Sequence, residues 1–409
     1  MKTNQRFNQR WEAKQGSSPR CVMRAMQSGA AMMAIAKRIL LGLVLLAAPA
    51  AAQIYAPPWY YSINSPNTNT ITIQGYTGPG GAVIIPTSIS NLLVTAIFFT
   101  VFEYNQTLTS VTIPGSVTAI GAYGSDGAFS GCRNLTSVTI ADGSGPTIIQ
   151  GGVFAGAFSS CTGLRNVSLG NGVTSIGHDA FYGCTNLTSL TLGTGIVSIT
   201  GDAFAYCTSL ASVTIPGSVT NFDGAFDDCT SLTSATIANG SGPTMVGAVF
   251  PGCTNLSSIT FGSGVTSISG VGGGAFQNFT SLTNVTFSNG LINIGNSAFF
   301  GCSSLTSLLI PGSVTNIGDG AFWGCSKLTN VVIANGSGPT GFGYEAFGGC
   351  TNLASVTIGA GVTSFGCEPF EGCTKLTSIY FEGNAPYVSY DCLGMGCYQI
   401  GRASCRERV

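Results

Sequence analysis

Fifteen cysteines in 409 residues are the first candidates for chemistry. Thiols at this density could bridge, bind a metal or act as nucleophiles. Ten of them, Cys132, Cys161, Cys184, Cys207, Cys229, Cys253, Cys302, Cys325, Cys350 and Cys373, recur at one position of a repeated segment. Asn105 and Phe279 take that position in two other copies, and a position that accepts phenylalanine is one for packing. Parallel side chains on rungs about 4.8 Å apart converge poorly for a bridge. The ten therefore read as buried free thiols acting as small hydrophobes. Cys367, Cys392 and Cys397 fall outside the register, and an oxidising compartment would allow one disulfide among them. C-x-x-C pairs and supporting histidines are both missing, so no zinc site is expected.

His178, the one histidine, stands beside Asp179 and could act as a general base. Asn296 and Thr200 fill the same loop position in other copies, and no motif supplies a nucleophile. It reads as a solvated loop residue. G-x-S-x-G, P-loop and H-E-x-x-H motifs are absent. Asp179, Asp202, Asp223, Asp227 and Asp228 fall in successive closing loops and could offer calcium its oxygen ligands. The ligand spacing of calcium-binding β-rolls is missing, however, and Asp142 of one copy becomes Asn239 and Asn335 in later ones. The aspartates read as a solvated acidic edge that keeps the protein soluble. No catalytic, cofactor-binding or metal residue is expected, no cofactor is implied, and the chain does not read as an enzyme.

What must position these residues is a repeat. The string L-T-S-V-T-I starts at Leu108, and variants start at Leu135, Leu164, Leu187, Leu210, Leu232, Leu256, Leu282, Leu305, Leu328, Leu353 and Leu376. Spacings run from 22 to 29 residues, most often 23. An Ala-Phe pair precedes most copies, as at Ala128-Phe129 and Ala321-Phe322, with the cysteine three residues before the leucine. A V-T-x-I-G stretch follows, as at Val173 to Gly177. The two-residue period sends Leu108, Val111 and Ile113 one way and Ser110 and Thr112 the other. Val117 and Ile120 would return a second short segment over the same core. One coil buries too little to offset its own chain entropy, whereas stacked coils share a core.

A longer period overlies the short one. I-A-D-G-S-G-P-T starts at Ile140, and I-A-N-G-S-G-P-T recurs at Ile237 and Ile333, 97 and 96 residues on. I-P-G-S-V-T starts one repeat earlier each time, at Ile113, Ile215 and Ile310. The array reads as a four-coil block present about three times. Amplification of this kind favours length and valency, which suit binding better than catalysis.

The pattern L-T-S-[VI]-x-[IL]-P-x-x-V-T-x-I-G-x-x-A-F-x-G-C resembles the BspA-type leucine-rich repeat of bacterial surface proteins, over roughly residues 70 to 385. The segments Ile71 to Pro86 and Phe381 to Pro386 resemble that family's end coils. The expected fold is a β-rich leucine-rich-repeat solenoid of about twelve coils over 108–380. It would be an elongated right-handed coil of parallel stacked strands, with single helical turns in the Ala-Phe segments. Residues 53–107 would form an N-terminal cap and the first coils, and 381–399 an incomplete C-terminal cap. The resemblance implies adhesion or protein binding after export.

The two ends differ from the repeats. Lys37-Arg38, the apolar run Ile39 to Ala48 and Ala50-Ala51-Ala52 make up a secretory signal peptide. The apolar run falls short of the roughly 20 residues needed to span a bilayer. Residues 1–52 are therefore expected to be a signal with an over-long N-terminal extension, Met33 being the more compact start, and the mature chain to begin at Gln53. Residues 400–409, I-G-R-A-S-C-R-E-R-V, resemble a sequencing-library adapter translated in one frame and are set aside as an artefact, so that the natural C-terminus is expected to be missing. Between these ends four basic side chains, Arg133, Arg165, Lys327 and Lys375, face fourteen acidic ones, a net charge near −10. That argues against nucleic acid and anionic membrane surfaces as partners, since both need clustered Lys and Arg.

Outward strand positions would align Ser110/Thr112, Ser137/Thr139, Ser189/Thr191, Ser212/Thr214, Ser234/Thr236, Ser258/Thr260 and Ser355/Thr357 into a hydroxyl face. Leu309, Val332 and Tyr380 make its far end apolar. Ser and Thr are also simply serviceable strand residues, and an ordered ladder of them could arrange water as ice does. This face lacks the aromatic rows that grip sugars. The leading expectation is a secreted or cell-surface, monomeric, non-catalytic protein that binds an extracellular protein or glycan and does not enter the membrane after signal cleavage. The alternatives are a targeting module of a larger secreted enzyme whose catalytic region is missing, and a structural envelope protein.

Overall fold

The computed structural model describes residues 54–384 apart from 123–126, 144–146, 152–155, 223, 243–244, 271–272 and 337–339, together with the backbone of 387–388 and 404–407. Backbone contacts divide the chain into Met1–Gln53, which lies outside the described residues together with the expected signal peptide, and Ile54–Val409. The second unit is a solenoid of about twelve turns. The L-T-S-V-T-I strands, with Gly81–Ile84 at one end and Ser404–Glu407 at the other, form parallel ladders in three sheets of five, four and five strands. Register is kept from coil to coil, with Val111 opposite Val138, Val167 opposite Val138, and Val331 opposite Val356. Ile113 pairs with Ile140, Ile215 with Ile237 and Ile310 with Ile333, so the four-coil block of the sequence repeats as a structural block.

The V-T-x-I segments form a second parallel ladder, exemplified by Ser175–Ile176 on Ser198–Ile199 and Asn293–Ile294 on Asn316–Ile317. Among the described residues antiparallel pairing is confined to the N-terminal end. There Trp59–Ile63 pairs with Ile54–Ala56 and Thr70–Tyr76, and Ser88–Ile89 pairs with Leu92–Phe98. Ser404–Glu407 pairs in parallel with Ser378–Phe381, a backbone pairing open to almost any non-proline segment at a sheet end.

The Ala-Phe segments close each coil as hydrogen-bonded turns, and no helix occurs among the described residues. The helical turns expected there are absent because alternate amides leave the coil. Ser130 N–H donates to Gly127 and Cys132 N–H to Phe129, but Phe129 N–H donates to Ala157 and Gly131 N–H to Ser159, one coil on. A helix would hold all four bonds within the segment. The residue before each cysteine is left-handed, with φ of 69° at Gly183 and 60° at Tyr206, which accounts for the prevalence of Gly-Cys in the repeat.

The core runs from Trp59 to Phe381, largely as columns of like side chains. Twelve phenylalanines from Phe102 to Phe370 stack ring on ring, with centroids 4.8 Å apart at Phe102–Phe129 and 5.3 Å apart at Phe299–Phe322. The column loosens where Val249 replaces the usual alanine: Phe226–Phe250 and Phe250–Phe276 open to 5.8 and 6.5 Å and tilt by 30° and 34°. Phe261 and Phe279 meet Phe276 edge-on there. Phe279 thus fills, with its ring, the space a cysteine occupies in other coils.

Candidate binding surfaces

All ten register cysteines are buried and free, as their shared position implied. Burial pushes the Cys184 and Cys302 thiols up to about 12, which leaves little thiolate for nucleophilic or metal chemistry near neutral pH. Cys367 is disulfide-bonded, while Cys392 and Cys397 lie outside the described residues.

Much of the repeat's polar consensus proves to be internal clamping. Thr136, Thr188, Thr233, Thr283, Thr329 and Thr377, each directly after a strand-entry leucine, donate their hydroxyls to a carbonyl of the preceding coil, as Thr136 does to Thr109 and Thr329 to Thr306. Asn134, Asn186, Asn255 and Asn352 reach back in the same way through their side-chain amides. The interchange of Asp142 with Asn239 and Asn335 also has a structural cause. Each uses a side-chain oxygen to accept the backbone N–H of the next coil, from Asn171, Ser263 and Ala360 respectively. An acceptor is needed there and a charge is not.

The hydroxyl face forms in register. Ser212, Ser234, Ser258 and Asn284 lie in one row and Thr214, Thr236, Thr260 and Thr286 in the next. These side chains are exposed or half-buried, while Val213, Ala235, Ile259 and Val285 between them point into the core. Leu309 pairs with Val332 and Thr357 with Tyr380 further on. Leu309 is well exposed and gives that end its apolar character.

The turn edge differs more from expectation. His178 is exposed, and its Nδ1 lies 3.0 Å from the Asp179 carboxylate. Asp179, Asp202, Asp227 and Asp228 are half-buried rather than freely solvated, and Asp223 lies outside the described residues. Burial, followed by the charges of Asp202 and Asp228, raises Asp227 to about 6, and its Oδ1 makes no hydrogen bond to the protein. Desolvation likewise raises Asp179, against the pull of His178. Aromatic side chains join this edge: Tyr182 meets Tyr206 edge-on at 5.2 Å, and Phe300 stacks on Trp323 at 4.7 Å. A second carboxylate group, Glu345, Glu368 and Glu371, lies beyond them, with oxygens within 4.8 Å of one another. The sequence signal for the Phe300–Trp323 pair was present in the residue after Ala-Phe, which is Tyr182, Phe300 or Trp323 in coils where others carry Ser130, Ser159 or Ala205, while Tyr206 stands one residue further on, before Cys207.

Two stacked parallel ladders, a leucine at each strand entry and a closing Ala-Phe-x-x-Cys turn define a leucine-rich-repeat solenoid. The chain belongs to the BspA-type leucine-rich repeat family, whose model matches in six copies across residues 95–157, 152–271 and 269–400. No curated protein matches it. Solved structures similar to it include a leucine-rich cell surface protein from Faecalibacterium prausnitzii, 25% identical over 83% of this chain and 97% of that one, with a TM-score of 0.35. A leucine-rich repeat protein from Bacteroides ovatus is 21% identical over 88% of this chain and 100% of that one, with a TM-score of 0.33. The pneumococcal vaccine antigen PcpA is 18% identical over 88% and 99%, with a TM-score of 0.37. Among the described residues, no helix is long and apolar enough to cross a membrane.

Proposed function

We propose that this chain is an exported, non-catalytic binding or adhesion protein that holds an extracellular protein or glycan through repeated weak contacts along its strand face. The observation that carries the reading is the register of the outward rows. Thr214, Thr236, Thr260 and Thr286 recur one strand apart with little charge among them, so a ligand that gains a small contact at one coil gains it again at the next. The signal-like segment 1–52 and maturation at Gln53 belong to the same reading, as do a secreted or cell-surface location and a monomeric state. The acidic balance of residues 53–399 supports a partner other than nucleic acid or anionic lipid.

The test is capture of the protein on immobilised extracellular-matrix proteins and glycans, with a variant carrying Thr214→Lys, Thr236→Lys and Thr260→Lys in parallel. Saturable binding to at least one surface, weakened in the variant, is the expected result. Absence of saturable binding across the panel, or binding untouched by the three lysines, would sink the reading.

A further inference from the structure

The residue following the buried phenylalanine needs no large side chain, since Ser130, Ser159 and Ala205 close their coils equally well. Phe300 and Trp323 nevertheless occupy it in successive coils, their rings 4.7 Å apart and within 12° of parallel. Trp323 keeps 38% of its surface exposed. The next coil has Gly348 in this place, and the indole lies against it: a Cβ there would stand 2.6 Å from Trp323 Cδ1 and 3.1 Å from Glu345 Cβ. The aromatic pair and the carboxylates are therefore one continuous surface.

Charge decides what that surface suits. Glu345, Glu368 and Glu371 crowd together within 4.8 Å, and the exposed Tyr344 adds its ring beside them. Glu371 is raised first by sharing a hydrogen bond with Glu345 and then by the Glu368 charge. The nearby basic side chains are turned to neutral partners, Lys327 to Ser304 and Lys375 to Asn352 at 2.7 Å. Three carboxylates left to repel one another beside an open indole favour a cation. A guanidinium or ammonium gains on the ring face and on the carboxylates together. A neutral sugar could use the ring but would leave the repulsion in place.

We propose that the edge formed by Phe300, Trp323, Tyr344, Glu345, Glu368 and Glu371 docks an arginine- or lysine-rich segment of a partner protein. Trp323, backed by Phe300, stacks on the cationic group. The three glutamates accept its N–H donors or those of a neighbouring basic residue, and Tyr344 borders the contact. The inference rests on the reading of the chain as a binding protein but assigns a different face from the hydroxyl rows.

The experiment measures fluorescence anisotropy of a labelled peptide of alternating arginine and glycine against the full-length chain. The variants are Trp323→Ser and the triple Glu345→Gln/Glu368→Gln/Glu371→Gln, with Asp202→Asn/Asp228→Asn at the other acidic edge as control. Serine occupies the Trp323 position in other coils, so that variant is expected to keep its fold and melting temperature. Binding should weaken about threefold in Trp323→Ser and about tenfold in the triple variant. It should stay unchanged in the aspartate control and fall with added salt. Equal binding by all four proteins would show only general attraction to an acidic chain and overturn the proposal. No binding by the unaltered chain would overturn it, as would Trp323-dependent binding of neutral oligosaccharides in place of the peptide. The Thr→Lys variants separate the two faces: peptide binding that survives them while matrix capture is lost leaves each reading to stand or fall alone.

Discussion

The thiol of Cys184 donates to the carbonyl oxygen of Phe158, one coil earlier, at 3.4 Å. The same oxygen accepts the N–H of Cys161 in its own coil. The thiol bond repeats in every coil with a register cysteine, from Cys132 on Phe102 at 2.9 Å to Cys373 on Phe347 at 3.2 Å. Cysteine suits the position as a small apolar side chain with one weak donor, and Phe279 shows that the site tolerates a side chain with neither property where the column opens.

Cys184→Ala should therefore cost about 1–2 kcal/mol, from a small void and a lost donor. Cys184→Ser should cost at least as much, because the shorter C–O bond leaves a more polar hydroxyl poorly bonded in an apolar site. Denaturant midpoints of the two variants check this. A serine variant as stable as the parent would show that the donor matters and the apolar character does not. In the folded protein the ten register thiols should also resist alkylation at mildly alkaline pH, and react once urea opens the coils.

Asn239 carries a cleaner distinction between charge and hydrogen bonding. Its Oδ1 accepts the N–H of Ser263 at 2.9 Å, as Asp142 does for Asn171 at 2.7 Å. Asn239→Asp keeps the acceptor and should change stability by no more than about 0.5 kcal/mol. Asn239→Ala leaves the amide to water and should cost about 1 kcal/mol. Equal losses in the two variants would mean that the side-chain amide N–H₂ group is the part that matters.

The acidic edge makes stability depend on pH in a stated direction. Asp227 has a folded pKa raised to about 6, with Asp202 and Asp228 as the charges facing it. The folded state then holds the proton more tightly than the unfolded one, so this contribution is fully present below the ordinary carboxylate range. It is lost as pH rises through about 6. The melting temperature should fall between about pH 4 and pH 6, and Asp227→Asn should flatten that slope and raise the value at pH 7. A melting temperature that climbs over this interval would contradict the placement of Asp227.

The sequence showed the coils clearly because their period is set by identical side chains in identical places. Leu135, Val138 and Ile140 face the core in the structure as their alternation requires. The absence of helix in the Ala-Phe turns was not legible, since it depends on amides such as Phe129 N–H finding acceptors in a coil about 28 residues away. The aromatic edge was hidden for a related reason. Phe300 and Trp323 are 23 residues apart in the chain and become neighbours only through stacking. The aspartates misled through their loop position, which suggests solvation; adjoining coils bury Asp227 far enough to raise its pKa.

The phenylalanine column should show where the solenoid is tight and where it is slack. Phe299 lies between Phe276 and Phe322, 5.3 Å from each and within 7° and 1° of parallel. Phe250 sits in the loosened stretch, tilted by 30° and 34° from its neighbours. Both rings are buried, so truncation removes similar apolar area from each. The difference lies in stacking, which adds about 0.5–1.5 kcal/mol to a well-placed aromatic pair. Phe299→Leu interrupts two such pairs, whereas Phe250→Leu removes contacts already open and tilted. Phe299→Leu should therefore destabilise the protein by about 1 kcal/mol more than Phe250→Leu does. Hydrogen exchange should place the local opening of the phenylalanine variants in the coils that flank each substitution, because a solenoid distributes its stability between nearest neighbours. A larger loss at Phe250 would mean that the tilted rings carry more of the packing than their separation implies.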